Sequence, residues 1–244
     1  LDQIRDTFQA VSLPLSICYR CAQAVVREAQ KIVPQIEAAP GAIAGTVEWM
    51  RAGKGLLSLG PTDAVLCRTN APLVKTAYAL IAQGIPCTIL GRTIGQGLIA
   101  LVERLKPVGI RDLEGKLGEY EQVETARLTA KKDDRGLGGL ADTLACLWAV
   151  IGNLQRDTQS VQGLKDALRD LFEDEVKGKL TLSTMHKAKG KEWPQVGILR
   201  PDLLPSPWAR QDWEIQQETN LQYVAITRAR ERLVWLEGEE EVCL

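Results

Sequence analysis

One histidine in 244 residues leaves little room for histidine-based chemistry. A structural zinc site would ordinarily want a second Cys-x-x-Cys or a close Cys/His pair. Of the six cysteines, at Cys18, Cys21, Cys67, Cys87, Cys146 and Cys243, only Cys18 and Cys21 have that spacing, and His186 stands far from them. No metal site is expected, and a chain of this size does not need disulfide staples, so reduced thiols are the default. A thioredoxin-like dithiol, which would place Cys-x-x-Cys after a strand, stays open as a rival because "LPLSICYRC" reads as a strand end. An excess of either charge is also missing: Lys+Arg 30 against Asp+Glu 31 leaves a net charge of −1, so any nucleic-acid surface must come from local clustering. No apolar run approaches the roughly 18 residues of a membrane span, and no basic-then-apolar leader opens the chain. A cytoplasmic protein without membrane partners is expected, and the first residue, Leu1, suggests a piece of something longer.

Hydrophobic residues at 45% and charged residues at 25% are globular proportions, enough for a sizeable core. The spacing predicts a helix over "AQAVVREAQKIV" up to Pro34, a short strand "GTVEWM", a buried strand in "DAVLCRTN" and a helix "APLVKTAYALIAQG" closed by Gly84. A strand "IPCTIL", a glycine-spaced turn "GRTIGQG" and a helix "LIALVERL" come next. This alternation is that of a parallel α/β sheet. Residues 106–176 are charged and helix-forming, read as a helical insertion whose first arm is exposed, between α/β parts at 1–105 and 177–244. The pattern resumes with strands "KLTLST" and "VGILR", a helix across "EIQQETNLQYVAITRA" and a final strand "RLVWLE".

Two stretches carry candidate chemistry. After "KLTLST" comes a polar loop with Thr184, His186, Lys187, Lys189, Gly190, Lys191 and Glu192; from Val176 to Lys191 there are five lysines and no carboxylate. Loops at the carboxyl ends of parallel strands bind ligands, although the same run is equally a solvated lysine-rich loop. In "NLQYVAITRARERL", Leu221, Val224 and Ala225 can face a core and leave Arg228 presented near the end of a helix. A guanidinium there suits a phosphate, because it is permanently charged and forks onto oxygen pairs; the plain alternative is one surface arginine beside Arg230 and Arg232.

Taken in order, "LSICYRC", "AVLCRTNAPLV", "TLSTMHKAKGKEW" and "ETNLQYVAITRARERL" resemble the C-terminal half of UvrD/Rep/PcrA-type superfamily 1 DNA helicases, over nearly the whole chain. The resemblance implies a second RecA-like domain, a P-loop NTPase-type fold without its own P-loop, carrying a reduced insertion at 106–176. It implies ATP and Mg as cofactors, both requiring an N-terminal RecA-like domain of the same protein. Tyr19 would stack on adenine, Arg20 and Arg228 would meet the γ-phosphate as catalytic groups, Glu192 would contact the nucleotide and Gly190 would let backbone approach it. Arg68, Thr69, Asn70, Thr184 and His186 would hold single-stranded DNA or a duplex/single-strand junction, mainly through its backbone, with a 3′ to 5′ polarity that rests on the family. A stand-alone strand-binding or regulatory module without ATPase activity is the other reading. No Gly-Lys in the chain is followed by Ser or Thr, so it has no G-x-x-x-x-G-K-[ST] loop; alone it is expected not to hydrolyse ATP.

Overall fold

The computed structural model describes residues 6–9, 16–154, 159–173 and 177–238. The part of the expected "LPLSICYRC" strand before Ser16, short pieces of the 106–176 segment, and Cys243 lie outside the described residues.

Short apolar runs bounded by polar exits become the central strands. β1 (Ile17–Cys18) leads through a turn into α1 (Gln23–Ala29), followed by β2 (Glu37–Ala38), β3 (Thr46–Arg51), α2 (Ala52–Leu57), β4 (Ala64–Cys67), α3 (Ala71–Ala82), β5 (Cys87–Leu90) and α4 (Arg92–Leu105). The segment after it folds as α5 (Ile110–Ala130), α6 (Asp134–Gly152) and α7 (Val161–Leu171). β6 (Phe172–Glu173), β7 (Leu180–Thr184), β8 (Trp193–Leu199), α8 (Asp212–Ile226) and β9 (Ala229–Glu237) complete the order. Seven strands form one sheet in the order β3-β9-β8-β4-β7-β5-β6, and every pairing in it is parallel. β4 and β7 are buried at every position, as strands covered on both faces must be. This is a RecA-like α/β sheet flanked by helices.

One apolar cluster joins β4 and β5 to α3, α4 and all three helices of the 110–171 region through Leu73, Leu113, Leu117, Leu147 and Leu164. A second covers the opposite face with Val25, Val26, Leu66, Met185, Trp193 and Ile226.

Three local expectations are corrected. The first helix ends at Ala29, ahead of Pro34. The glycine-spaced "GRTIGQG" is helix rather than turn, for α4 starts at Arg92. A Cβ on Gly95 would lie 2.8 Å from the Cβ of Phe172, so this glycine lets α4 press against β6. The first arm of the 106–176 segment is not simply exposed either: α5 buries Ile110, Leu113, Leu117 and Leu128 beneath a charged outer face.

Candidate functional site

The expected residues fall into two groups at opposite ends of the sheet. β4 and β7 are neighbours, with Cys67 opposite Thr184, so the residues following each strand emerge side by side at its carboxyl end. β8 and β9 are also neighbours, with Trp193 opposite Ala229, and the residues just before them, Glu192 and Arg228, meet at the amino end. The eight residues 185–192 run from one end to the other, anchored by the buried Met185 and Ala188.

At the amino end the Tyr19–Arg20 turn is held by its helix. The first N–H groups of α1 have no side-chain cap. They donate instead to backbone carbonyls: Ala22 to Arg230 at 2.7 Å, Gln23 to Ile43 at 2.9 Å and Ala24 to Ala44 at 2.9 Å. These donors are spent, so an anion here would meet side chains rather than a bare helix terminus. Arg20 Nε donates to Glu192 Oε2 at 2.6 Å, and Arg230 Nη1 stands 3.8 Å from Glu192 Oε1. Gly190, at φ +87°, turns the loop in a conformation that glycine adopts without penalty. Tyr19 is 80% exposed, its ring offered to solvent.

Arg228, expected to be presented near the end of a helix, follows α8 and is buried. Its Nε donates to the Val224 carbonyl at 2.9 Å, Nη1 to the Lys191 carbonyl at 2.9 Å and Nη2 to Thr227 Oγ1 at 3.2 Å. Burial and then the neighbouring charge of Arg20 lower its pKa. The guanidinium is thus fixed in direction, next to a second cation. Cys21, the inner sulfur of the Cys-x-x-Cys, is buried beneath this group, its thiol directed at the Thr227 carbonyl at 3.6 Å. Burial, then Cys18, pushes that thiol up to about 12, which makes it a poor nucleophile or metal ligand. Among the described residues no three His, Cys, Asp or Glu side chains converge on a point that could hold a metal ion.

At the carboxyl end, Arg68, Thr69, Asn70, Thr184 and His186 line one cleft of about 680 Å³. The cleft brings together all five expected residues and adds Trp208 from the loop before α8, Asp142 and Arg135 from α6, and Glu218 from α8. Arg68 Nε and Nη2 donate to the two Glu218 oxygens, both at 2.7 Å, and the Ser206 N–H donates to Glu218 Oε2 at 3.1 Å. Burial alone would raise the Glu218 pKa, but the bond and charge of Arg68 more than offset it, leaving the carboxyl below its usual value. Asp142 accepts from the backbone N–H of Asn70 and of Ala71, and from Asn70 Nδ2 at 2.9 Å, so it caps α3 across the cleft. Thr184 is buried, its Oγ1 accepting from the Lys187 N–H at 3.4 Å. The His186 pKa is lowered by burial and then by Arg68, against an opposing pull from Glu218. Glu218 had a visible signal, since it lies on the buried face of α8 with Leu221 and Ala225. Asp142 had none, being 72 residues from its partner.

Fold and placement define a parallel α/β domain of the RecA-like class, with cations gathered at one end of the sheet and a polar cleft at the other. Residues 119–237 match the family described as UvrD-like helicase C-terminal domain. Over that span, just under half of the chain, the sequence is similar to UvrD-like helicase C-terminal domains. A 69-residue stretch is 42% identical to the proteins named ATP-dependent DNA helicase PcrA of Staphylococcus aureus strains Mu50 / ATCC 700699, NCTC 8325 / PS 47 and COL. That match covers 26% of this chain and 10% of each relative's length. Among the described residues no helix is long and apolar enough to cross a membrane.

Proposed function

We propose that the chain is the second RecA-like half of the motor of an ATP-dependent DNA helicase, with residues 106–176 as a reduced insertion. The observation that carries this is the two-ended site within a UvrD-like C-terminal domain: fixed arginines at one end of residues 185–192, a polar cleft at the other. Tyr19 offers a flat ring to adenine, Glu192 and Gly190 face the nucleotide, and Arg20 and Arg228 offer two cations to its terminal phosphate. Phosphoryl transfer needs positioning and charge neutralisation more than covalent help, and an arginine finger supplies on the order of a thousandfold or more in rate. The phosphate loop and the magnesium carboxylates come from an N-terminal RecA-like partner domain.

At the other end Arg68, Thr69, Asn70, Thr184 and His186 take the backbone of single-stranded DNA, or the strand leaving a duplex junction. Residues 185–192 belong to both ends, so closure of the partner on ATP moves the strand cleft. The purified chain should bind a single-stranded oligonucleotide, with affinity falling as salt rises, and should turn over no ATP. Clear ATP turnover by the pure chain would overturn the two-half reading, and absence of strand binding would remove the cleft assignment.

A further inference from the structure

Each of two residues expected to touch the strand is held by a carboxylate from a distant element. Arg68 presents the Nε/Nη2 edge of its guanidinium to Glu218, side-on and bidentate, with Glu218 buried at 8% exposure. Arginine has a second edge, so this grip fixes the plane and leaves Nη1 for another acceptor. Asn70 is held by Asp142 through its backbone N–H and its side-chain amide. The two holds come from different elements lining the cleft, Glu218 from α8 and Asp142 from α6. These elements are also tied to each other near their starts: Arg210 Nη1 lies 3.1 Å from Asp134, Arg135 Nη2 lies 3.1 Å from Glu214, and the Arg135 guanidinium sits 4.8 Å over the Trp213 ring. A Cβ on Gly138 would stand 2.7 Å from Trp208, so this helix glycine seats the indole against α6.

We propose that Glu218 and Asp142 are positioning residues for nucleic-acid binding, and that α6, from the 106–176 segment, is a working wall of the strand cleft. This rests on the strand-binding reading above. Glu218 aims Arg68 and Asp142 aims Asn70, so the pair is set before a phosphate arrives and little side-chain freedom is lost on binding.

The sign of a charge removal decides the matter. If the carboxylates merely occupied anion positions, removing either would relieve repulsion and tighten strand binding. A positioning role predicts the reverse. Binding of a fluorescein-labelled oligo(dT) to the chain is measured by anisotropy across a salt series, with thermal unfolding of each variant alongside. Glu218→Gln, which keeps the volume, and Asp142→Ala are each expected to weaken binding roughly three- to tenfold. Glu218→Gln should also flatten the dependence of log K on log salt by about 0.7, the share of one phosphate contact on a single strand, whereas Asp142→Ala, which frees a neutral amide, should leave that slope unchanged. Glu218→Asp, which restores the charge, should recover part of the loss. Unchanged or tighter binding by the two variants overturns the proposal. Absence of binding by the unsubstituted chain instead overturns the strand-binding reading beneath it.

Discussion

Arg20 and Glu192, 172 residues apart in sequence, meet at 2.6 Å where the turn before α1 faces the loop before β8. Both side chains are about two-fifths exposed, at 41% and 42%. A pair this open to water contributes only about 0.2–1 kcal/mol. Glu192→Gln should therefore leave the urea midpoint nearly unchanged, and equilibrium unfolding checks it. A loss of several kcal/mol would mean that the contact holds the fold rather than aims Arg20.

Gly45 sits behind this turn at φ +62°, and a Cβ there would lie 2.3 Å from the Cβ of Ala22 and 2.4 Å from the Glu231 carbonyl oxygen. Both obstacles are rigid: one begins α1 and the other is backbone of β9. Gly45→Ala should cost at least about 2 kcal/mol of stability, combining backbone strain with overlap. A melting temperature close to that of the unsubstituted chain would contradict this packing.

His186 stands beside the Arg68–Glu218 pair with its pKa below 6.5, through burial and then the Arg68 charge. The folded state thus prefers the neutral ring. On acidification from neutral pH the unfolded chain takes up its proton first, so this contribution is full above the unfolded value of 6.5 and is lost as pH falls toward the folded pKa. The residue is exposed, so solvent screening keeps the effect small. His186→Gln should flatten the fall in melting temperature across that window; an unchanged pH profile would contradict the assignment.

Much of this was legible before any coordinates. β4, β5 and β7 are apolar runs with polar exits, and α3, α8 and β9 follow from spacing that tertiary contacts reinforce. Local glycine content misled at one place. α4 opens through Gly95 and Gly97 and reads as a turn, yet Gly95 is helical and lets the helix pack against Phe172. In α5 the density of charge hid a stripe of four buried side chains. The recognised motifs supplied every expected site residue, and the structure sorts them into two groups without any rearrangement of their order. What spacing could not supply was the long-range pairing: Arg68 with Glu218 across 150 residues and Asn70 with Asp142 across 72. Such pairs exist only once the sheet brings β4, α6 and α8 together.

Under the proposed function Arg228 acts on the nucleotide and not on the strand. Its three hydrogen bonds hold it at the amino end of the sheet, joined to the cleft through residues 185–192 and through α8. The direct measurement, made in the two-domain helicase that the proposed function calls for, is Arg228→Ala assayed for DNA unwinding, ATP turnover and oligonucleotide binding over a salt series. ATP turnover should fall on the order of a thousandfold and unwinding should cease, while strand affinity and its salt dependence stay near the unsubstituted level. Near-normal unwinding by this variant, or a loss of strand binding as large as the loss of turnover, would contradict the account.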